Sequence, residues 1–143
     1  MSEYTLVKDI TSYRYPSHMK RSNDLFGDSL FERWISNWTN KLTHIIGKPN
    51  IVGIEIGVLY GDCAVFCAEK IVTGENSIHY CIDIDNNEYL LNNISPYKNI
   101  KLIKGYSHEV LRKHFVEPGI ADYIYIDGSH LAVDVIQDAV LSW

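Results

Sequence analysis

Four short apolar runs, each followed by a polar turn and a helical pattern, constrain the fold of this chain more than any other feature. The runs occupy residues 51–56, 78–82, 100–103 and 122–126. Apolar strands that alternate with helices form βαβ units, which build a parallel sheet with right-handed crossovers. The sequence therefore predicts an α/β, Rossmann-like fold with four parallel strands and helices on both faces of the sheet.

The helices are predicted from apolar residues that recur at steps of three and four. They are expected over residues 28–46, 62–71 and 88–95, around residues 110–115 and after residue 130. Asp28 or Ser29 can cap the first helix, and Ser107 is placed to cap the fourth. The inward side of the last helix is expected to carry Leu131, Val135, Ile136, Ala139 and Val140.

Length and composition indicate one domain. The chain has 143 residues, of which 46% are hydrophobic and 22% charged, as is usual for a globular domain. We assign residues 28–143 to this domain and interpret the polar, tyrosine-rich residues 1–27 as a loose arm or a lid. The net charge is −5, and no basic run is long enough to follow a phosphate backbone. Nucleic acid is therefore not an expected partner.

The chain shows no targeting or membrane pattern. Its first residues lack the features of a signal peptide, and no apolar run approaches the roughly 20 residues that span a bilayer. A cytoplasmic protein without membrane contact is expected. The three cysteines, Cys63, Cys67 and Cys81, are odd in number and fall in or beside predicted core elements, which argues against a disulfide framework. Cys63 and Cys67 are spaced for a metal, but no neighbouring residue completes a zinc spacing, and core packing is favoured.

A ligand site is predicted where the first strand runs into its helix, in residues 55–61, EIGVLYG. Gly57 and Gly61 have no Cβ, so the backbone can turn sharply and come close to a bound molecule. Glu55 places a carboxylate near the carboxyl end of the strand, the edge where open α/β sheets bind ligands. The alternative is an ordinary connection in which the glycines serve turn geometry alone.

The other strands add polar residues to the same edge, because parallel strands all end on one side of the sheet. Asp83 follows Gly57 by 26 residues, near the position at which nucleotide-binding domains hold the ribose hydroxyls. The turn lacks G-x-G-x-x-G, and Asp62 offers a negative charge at the helix start, so a pyrophosphate is disfavoured and a sulfonium is tolerated. One alternative is that Asp83 caps a helix. Asp85 could likewise cap a helix, or it could bind the ribose together with Asp83.

Residues 55–61 resemble the first motif of class I S-adenosylmethionine (SAM)-dependent methyltransferases, and residues 80–85, YCIDID, resemble the second. Residues 125–138, YIDGSHLAVDVIQD, are similar to metal-dependent O-methyltransferases of the macrolide-sugar (macrocin and mycinamicin) type. The resemblance covers residues 51–143. It implies transfer of a methyl group from SAM to a hydroxyl of a small molecule or sugar, with Mg²⁺ assisting.

The resemblance also implies contacts with the cofactor. Gly57 and Gly61 would face the methionine part of SAM, and Glu55 would hold its ammonium group through water or through its backbone. Asp83 would bind the ribose, and Ser107 would lie near the adenine. The alternative for Ser107 is a plain helix cap.

Two further roles follow from the resemblance. Asp127 would be the first carboxylate ligand of Mg²⁺, and His130 would be the general base that deprotonates the acceptor hydroxyl. Oxygen ligands suit Mg²⁺, and an imidazole near neutral pH suits proton transfer. The alternative is that Asp127 and His130 form a helix cap beside a partly exposed histidine.

Class I methyltransferases have seven strands, and only four are predicted here. In the metal-dependent relatives two more metal carboxylates follow the fifth strand, so Asp127 has no evident co-ligand. We therefore expect a homo-oligomer or a chain that lacks the C-terminal half of the fold, with a truncated, non-catalytic SAM-binding or oligomerisation module as the alternative function. A nucleotide-binding oxidoreductase is a third, disfavoured interpretation.

Overall fold

The computed structural model describes residues 13–21 and 30–142. Strands and helices alternate along the chain, as predicted. The elements are α1 (Leu30–Leu42), β1 (Val52–Ile56), α2 (Asp62–Lys70), β2 (Ile78–Asp83), α3 (Glu88–Ile94), β3 (Ile100–Lys104), α4 (Ser107–His114), β4 (Tyr123–Ile126) and α5 (Ala132–Ser142).

The four strands form one parallel sheet in the order β3-β2-β1-β4, which confirms the predicted Rossmann-like α/β fold. β1 lies between β2 and β4, so that Gly53 is paired with His79 on one side and with Tyr123 on the other. In the described part of the chain β4 pairs only with β1 and forms one edge of the sheet.

The two faces of the sheet differ in chemistry, because successive side chains of a strand point to opposite faces. One face is apolar and packs against α4 and α5 through a cluster that includes Ile54, Ile82 and Leu111. On the other face Tyr123 packs against residues of α1 and α2, among them Ile35 and Phe66. This second face also carries polar side chains, which are described with the site.

Helix α2 is buried on nearly all sides. Its predicted inner residues, including Ala64 and Val65, are fully enclosed, but so are Phe66 and Cys67. The helix lies between the sheet and the described part of the N-terminal arm, since Tyr13 belongs to the same cluster as Phe66. The prediction of core cysteines is confirmed, because Cys63, Cys67 and Cys81 are all free and buried.

The described part of the N-terminal arm, residues 13–21, lies against α2 and α3. The Asn93 side chain accepts a hydrogen bond from the Lys20 amide (3.0 Å) and donates to the Lys20 carbonyl (2.8 Å). It also donates to the Tyr60 carbonyl at 2.8 Å. Asn93 thus ties this segment to the glycine turn after β1. The rest of the predicted arm or lid lies outside the described residues.

Two predictions about the helices are wrong. α1 ends at Leu42 rather than at residue 46, and its predicted caps, Asp28 and Ser29, lie outside the described residues. The predicted inward side of α5 faces outward: Leu131, Ile136 and Val140 are 66%, 62% and 69% exposed. The buried residue of α5 is Asp138, so this helix turns an acid toward the rest of the chain.

None of the helices in the described part of the chain has the length and apolar character needed to cross a membrane.

Candidate functional site

The carboxyl ends of the strands open onto a cleft of about 590 Å³, within the range of small-molecule sites. Four predicted site residues, one from the end of each strand, line it together: Gly57, Asp83, Ser107 and Asp127. Their convergence confirms that one edge of the sheet gathers these polar turns. Other lining residues that matter below are Ile84, Asp85, Tyr106, His108, Ser129, Asp134 and Asp138.

Gly57 is required by the geometry of the cleft floor. Its φ is +83°, and a Cβ at this position would overlap the carbonyl oxygen of Asp127 and lie 2.5 Å from the Cα of Gly128. The turn after β1 therefore touches the turn after β4 backbone to backbone. Only glycine combines that left-handed backbone with so close an approach.

Asp83 holds the end of β2 to the glycine turn. Its Oδ2 accepts hydrogen bonds from the amides of Val58 (2.7 Å) and Leu59 (3.2 Å), and its Oδ1 accepts from the amide of Asp85 (3.0 Å). A carboxylate has about four acceptor positions, so one remains for a ligand hydroxyl. The alternative that Asp83 or Asp85 caps α3 is wrong, because Asn87 accepts the capping bond from Leu90.

The cleft is lined by acids. Asp83, Asp85, Asp127, Asp134 and Asp138 all contribute to it, and no Lys or Arg of residues 13–21 and 30–142 is among its lining residues. Such a lining disfavours phosphates and favours a cationic ligand.

Ser107 does not cap α4. The residue at the N-cap position is Tyr106, and Ser107 is the first residue of the helix. Its hydroxyl donates to the Oδ1 of Asp138 at 2.5 Å, which joins α4 to α5 at the cleft. Asp138 is 4% exposed. Sequence reasoning did not single out this residue, although an acid in an apolar helix is a signal that could have found it.

Asp127 and Asp134, which lies in the first turn of α5, have local partners. The Tyr125 hydroxyl donates to Asp127 Oδ2 at 3.0 Å, and the Ser129 hydroxyl donates to Asp134 Oδ2 at 2.6 Å. The carboxylate of Asp127 raises the pKa of the Tyr125 hydroxyl, together with the larger effect of burial. Both acids are thus held in place at the cleft wall.

Asp62 is not a source of negative charge in the cleft. Its carboxylate lies 3.5 Å from the guanidinium of Arg21, is buried and does not line the cleft. Arg21 also covers the ring of Tyr15 at 3.9 Å. The five lining acids therefore disfavour phosphate in the cleft, and the prediction that Asp62 does so is wrong.

Glu55 lies beneath the cleft rather than at its edge. It is 1% exposed, and its Oε2 is hydrogen-bonded to His79 Nε2 at 2.8 Å. The other ring nitrogen of His79 is bonded to the Tyr123 hydroxyl at 2.8 Å. The prediction that this carboxylate reaches the edge of the sheet is wrong, because Glu55 is inside the strand and points to its enclosed polar face.

Glu55, His79 and Tyr123 form a buried, hydrogen-bonded array. Gly53 leaves the space that this array needs. A Cβ at Gly53 would collide with the Tyr123 ring, whose Cε1 atom would be 2.6 Å away. Without a side chain on the central strand, the Tyr123 ring crosses β1 and reaches His79 on β2. The sequence contained the glycine but gave no indication of which strands flank it.

The three cysteines adjoin this array and affect its protonation. Burial raises the pKa of Glu55, while hydrogen bonds from His79 and Cys63 oppose that effect. Burial alone would lower the pKa of His79, but Cys67, Cys81 and Glu55 raise it well above its ordinary value. Burial also raises the pKa of the Cys81 thiol, to about 11.

Besides Glu55, two further predicted site residues do not line the cleft. Gly61 (φ +85°) precedes α2 and packs near Leu90 and Ile94. His130 is exposed in the loop before α5. A different imidazole, that of His108, does line the cleft, with its ring centroid 5.8 Å from that of Tyr106. The sequence analysis did not identify His108, and its place beside Ser107 was the available signal.

The assignment of Asp127 as a Mg²⁺ ligand stays a prediction. Among the described residues, one group of three possible ligands is found, Glu55, His79 and Cys81, and Asp127 is not part of it. A divalent magnesium ion is usually held by one or two carboxylates plus substrate or water. If Asp127 holds Mg²⁺, substrate or water would have to supply other ligands.

Comparisons with known proteins agree with the geometry of the cleft. A family model described as "Methyltransferase domain" matches residues 54–143. A search of curated proteins finds no match. The matched region begins within β1 and includes the glycine turn, the end of β2 and both acids of α5.

Proposed function

The chain belongs to the methyltransferase-domain family, and we propose that it transfers a methyl group from SAM to a hydroxyl of a small molecule or sugar. Family membership implies a SAM-dependent transferase. The observation that carries the proposal is the cleft itself, where Gly57, Asp83, Ser107 and Asp127 meet at the ends of four strands.

The chemistry of the cleft suits SAM. Bound SAM supplies a methyl group on a positively charged sulfonium, and an acid-lined cleft attracts that charge. The fourth acceptor position of Asp83 fits a ribose hydroxyl. Ile84 and Tyr106 are each 61% exposed and both line the cleft, so they provide apolar surfaces for the adenine ring.

The acid lining also bears on product release. Methyl transfer removes the positive charge from sulfur, so the spent cofactor loses the attraction that five nearby carboxylates exert on SAM. We therefore expect SAM to bind more tightly than S-adenosylhomocysteine at low ionic strength. Added salt should reduce the difference, because it screens exposed charges.

The acceptor hydroxyl must lose a proton as it attacks the methyl group. The resemblance assigns this step to His130, and the structure offers His108 in the cleft as a second imidazole. A base contributes about 10²–10⁴-fold when it lies within hydrogen-bond reach. Replacing each histidine by Gln in turn, with exposed His114→Gln as control, identifies the base by the size of the loss in kcat.

Asp127 is outside the one group of three possible metal ligands found among the described residues, so a role for Mg²⁺ rests on the resemblance. Metal assistance is tested directly by adding EDTA to a transfer assay with hydroxyl acceptors. A rate that EDTA leaves unchanged excludes Asp127 as a metal ligand in the reaction.

Cofactor binding is tested by calorimetry with SAM and with S-adenosylhomocysteine. Asp83→Asn should weaken binding at least about tenfold, because a carboxylate–ribose bond contributes about 1.5–3 kcal/mol. Glu117→Gln, at an exposed position outside the cleft lining, is the matched control. A folded chain that binds neither compound at millimolar concentration contradicts the proposal.

A second candidate function, self-association, is favoured by the exposed apolar side of α5 beside the edge strand β4. Clusters of exposed apolar residues mark interaction surfaces, and an unpaired strand can pair with another chain. We propose a second copy of this chain as the partner. Light scattering tests it, since a strictly monomeric wild-type chain at high concentration would exclude it.

A further inference from the structure

We propose that the buried array beneath the cleft is a binding site for a single zinc ion, held by Glu55, His79 and Cys81 with Cys63 as the fourth ligand. This site is separate from the proposed transfer chemistry. It uses none of the residues that line the cleft.

The positions of the ligands follow from the parallel pairing of β1 and β2. Glu55 and Cys81 are direct partners in the register, and His79 precedes Cys81 by two residues on the same face. The carboxylate oxygen, imidazole nitrogen and thiol sulfur all lie within 4.8 Å of one another. Ligand atoms around tetrahedral zinc are about 3–4 Å apart, given bonds of about 2.0–2.3 Å. A small adjustment of side chains therefore admits the ion.

The fourth ligand comes from α2. Cys63 is buried and lowers the pKa of the Glu55 carboxyl, and its sulfur is 4.0 Å from that of Cys67. Cys67 and Cys81 are likewise buried and raise the pKa of His79. Thiolate, imidazole and carboxylate together suit zinc, whereas Mg²⁺ prefers oxygen ligands alone.

Neighbouring residues already hold the His79 ring in a fixed orientation. Metal-binding histidines commonly bond through their second ring nitrogen to a fixed partner, which sets the orientation of the ring. Here Nδ1 of His79 is bonded to the Tyr123 hydroxyl at 2.8 Å, and Nε2 is directed to Glu55. Gly53 provides the space for that arrangement. Zinc would replace the direct bond between Glu55 and His79.

The burial of the site predicts how the ion enters and leaves. Glu55, His79 and Cys81 are at most 1% exposed, so the ion has no open path in the folded chain. It must bind during folding, when the ligands are accessible. Chelators should therefore remove zinc slowly from the native chain and rapidly from the unfolded one.

The test uses the full chain, unfolded with chelator and refolded with Zn²⁺ or Co²⁺. We expect about one zinc per chain after desalting, and for cobalt a thiolate-to-metal charge-transfer band in the near ultraviolet. Cys81→Ser and His79→Gln should lower the metal content and weaken that band. Glu75→Gln and His114→Gln, both at exposed positions, serve as matched controls.

Two results would overturn the proposal. One is a wild-type chain that refolds to its native circular dichroism with little or no zinc. The other is bound cobalt without a charge-transfer band, which would place the ion among the carboxylates of the cleft. Both results come from the wild-type chain, so they decide the question even where a variant fails to fold.

Discussion

Replacing Gly57 by alanine tests the contact between the turns after β1 and β4. The added Cβ would overlap the Asp127 carbonyl and lie 2.5 Å from the Cα of Gly128. Backbone atoms cannot swing aside as a flexible side chain can. The substitution should therefore both destabilise the chain and distort the floor of the cleft.

The expected loss of stability for Gly57→Ala has two contributions. Substitutions at other glycines measure them separately. Gly119 also has a positive φ, +75°, but a Cβ there would meet nothing within 4 Å. Gly119→Ala should therefore cost only the backbone term, about 1–2 kcal/mol. Atoms forced into a packed site cost about 1–3 kcal/mol more. The expected loss for Gly57→Ala is thus about 2–5 kcal/mol, a large share of the 5–15 kcal/mol typical of a domain.

Gly61 supplies an intermediate case. Its φ is +85°, and a Cβ would lie 3.1 Å from side-chain atoms of Leu90 and Ile94, which can yield slightly. We expect the order Gly119→Ala, Gly61→Ala, Gly57→Ala in increasing loss of stability. All three exchanges change the entropy of the unfolded chain equally, so that contribution cancels in the comparison.

Urea unfolding followed by circular dichroism measures the three losses, with equal m-values as the check on two-state behaviour. Calorimetry with S-adenosylhomocysteine on the same samples should show the greatest loss of affinity for Gly57→Ala. Equal unfolding midpoints for Gly57→Ala and Gly119→Ala would show that the two turns do not touch, and would refute the geometry of the cleft floor.

Three further outcomes are expected. Tyr123→Phe removes the hydroxyl that partners His79 and should cost about 1–3 kcal/mol in urea unfolding, while a change too small to measure would mean that the ring nitrogen finds another partner. Asn93→Ala should release residues 13–21 from α3 and speed trypsin cleavage there, as followed by mass spectrometry, and an unchanged cleavage rate would argue against the tether. Ile136→Glu should change the free energy of unfolding of the single chain, measured at low protein concentration, by no more than about 0.5 kcal/mol, because the side chain is 62% exposed there, and a larger loss at that concentration would show that the chain itself covers this side of α5.

Much of the cleft could be predicted because it follows from local patterns. Apolar runs alternating with helical patterns required a parallel sheet, and parallel strands end on one side. Gly57, Asp83 and Asp127 each follow such a run, so their convergence needed no knowledge of strand order. The family resemblance drawn from the same turns is confirmed at the level of a methyltransferase domain.

The buried array could not be predicted, because it depends on which strands are neighbours. His79 and Tyr123 are 44 residues apart and meet only because β1 lies between their strands. Glu55 was assigned to the edge of the sheet from its closeness to the glycine turn. Side chains alternate between the two faces along β1, and this alternation directs the Glu55 carboxylate to the enclosed face.

Helix α5 shows a second limit of sequence patterns. Apolar residues at helical spacing predict a helix with one apolar side, but they do not show what covers that side. In α5 the enclosed residue is Asp138, bonded to Ser107, while Ile136 and Val140 are exposed. The hydrophobic pattern and the observed burial differ in α5 because its inward side carries Asp138, which is bonded to Ser107 at the cleft.

Residues of the buried array and residues of the cleft lie in the same rows of side chains along the strands. Side chains two residues apart share a face, so each strand that carries a member of the array also carries a cleft residue farther along the same row. Because packed interiors are dense and yield little, a change in the array is transmitted along these rows to the cleft floor. Filling the array with a metal ion, or removing one of its members, should therefore alter cofactor affinity without touching a residue that lines the cleft. The three rows are Gly53 and Glu55 on β1, followed by Gly57 in the turn; His79, Cys81 and Asp83 on β2; and Tyr123 and Tyr125 on β4, followed by Asp127.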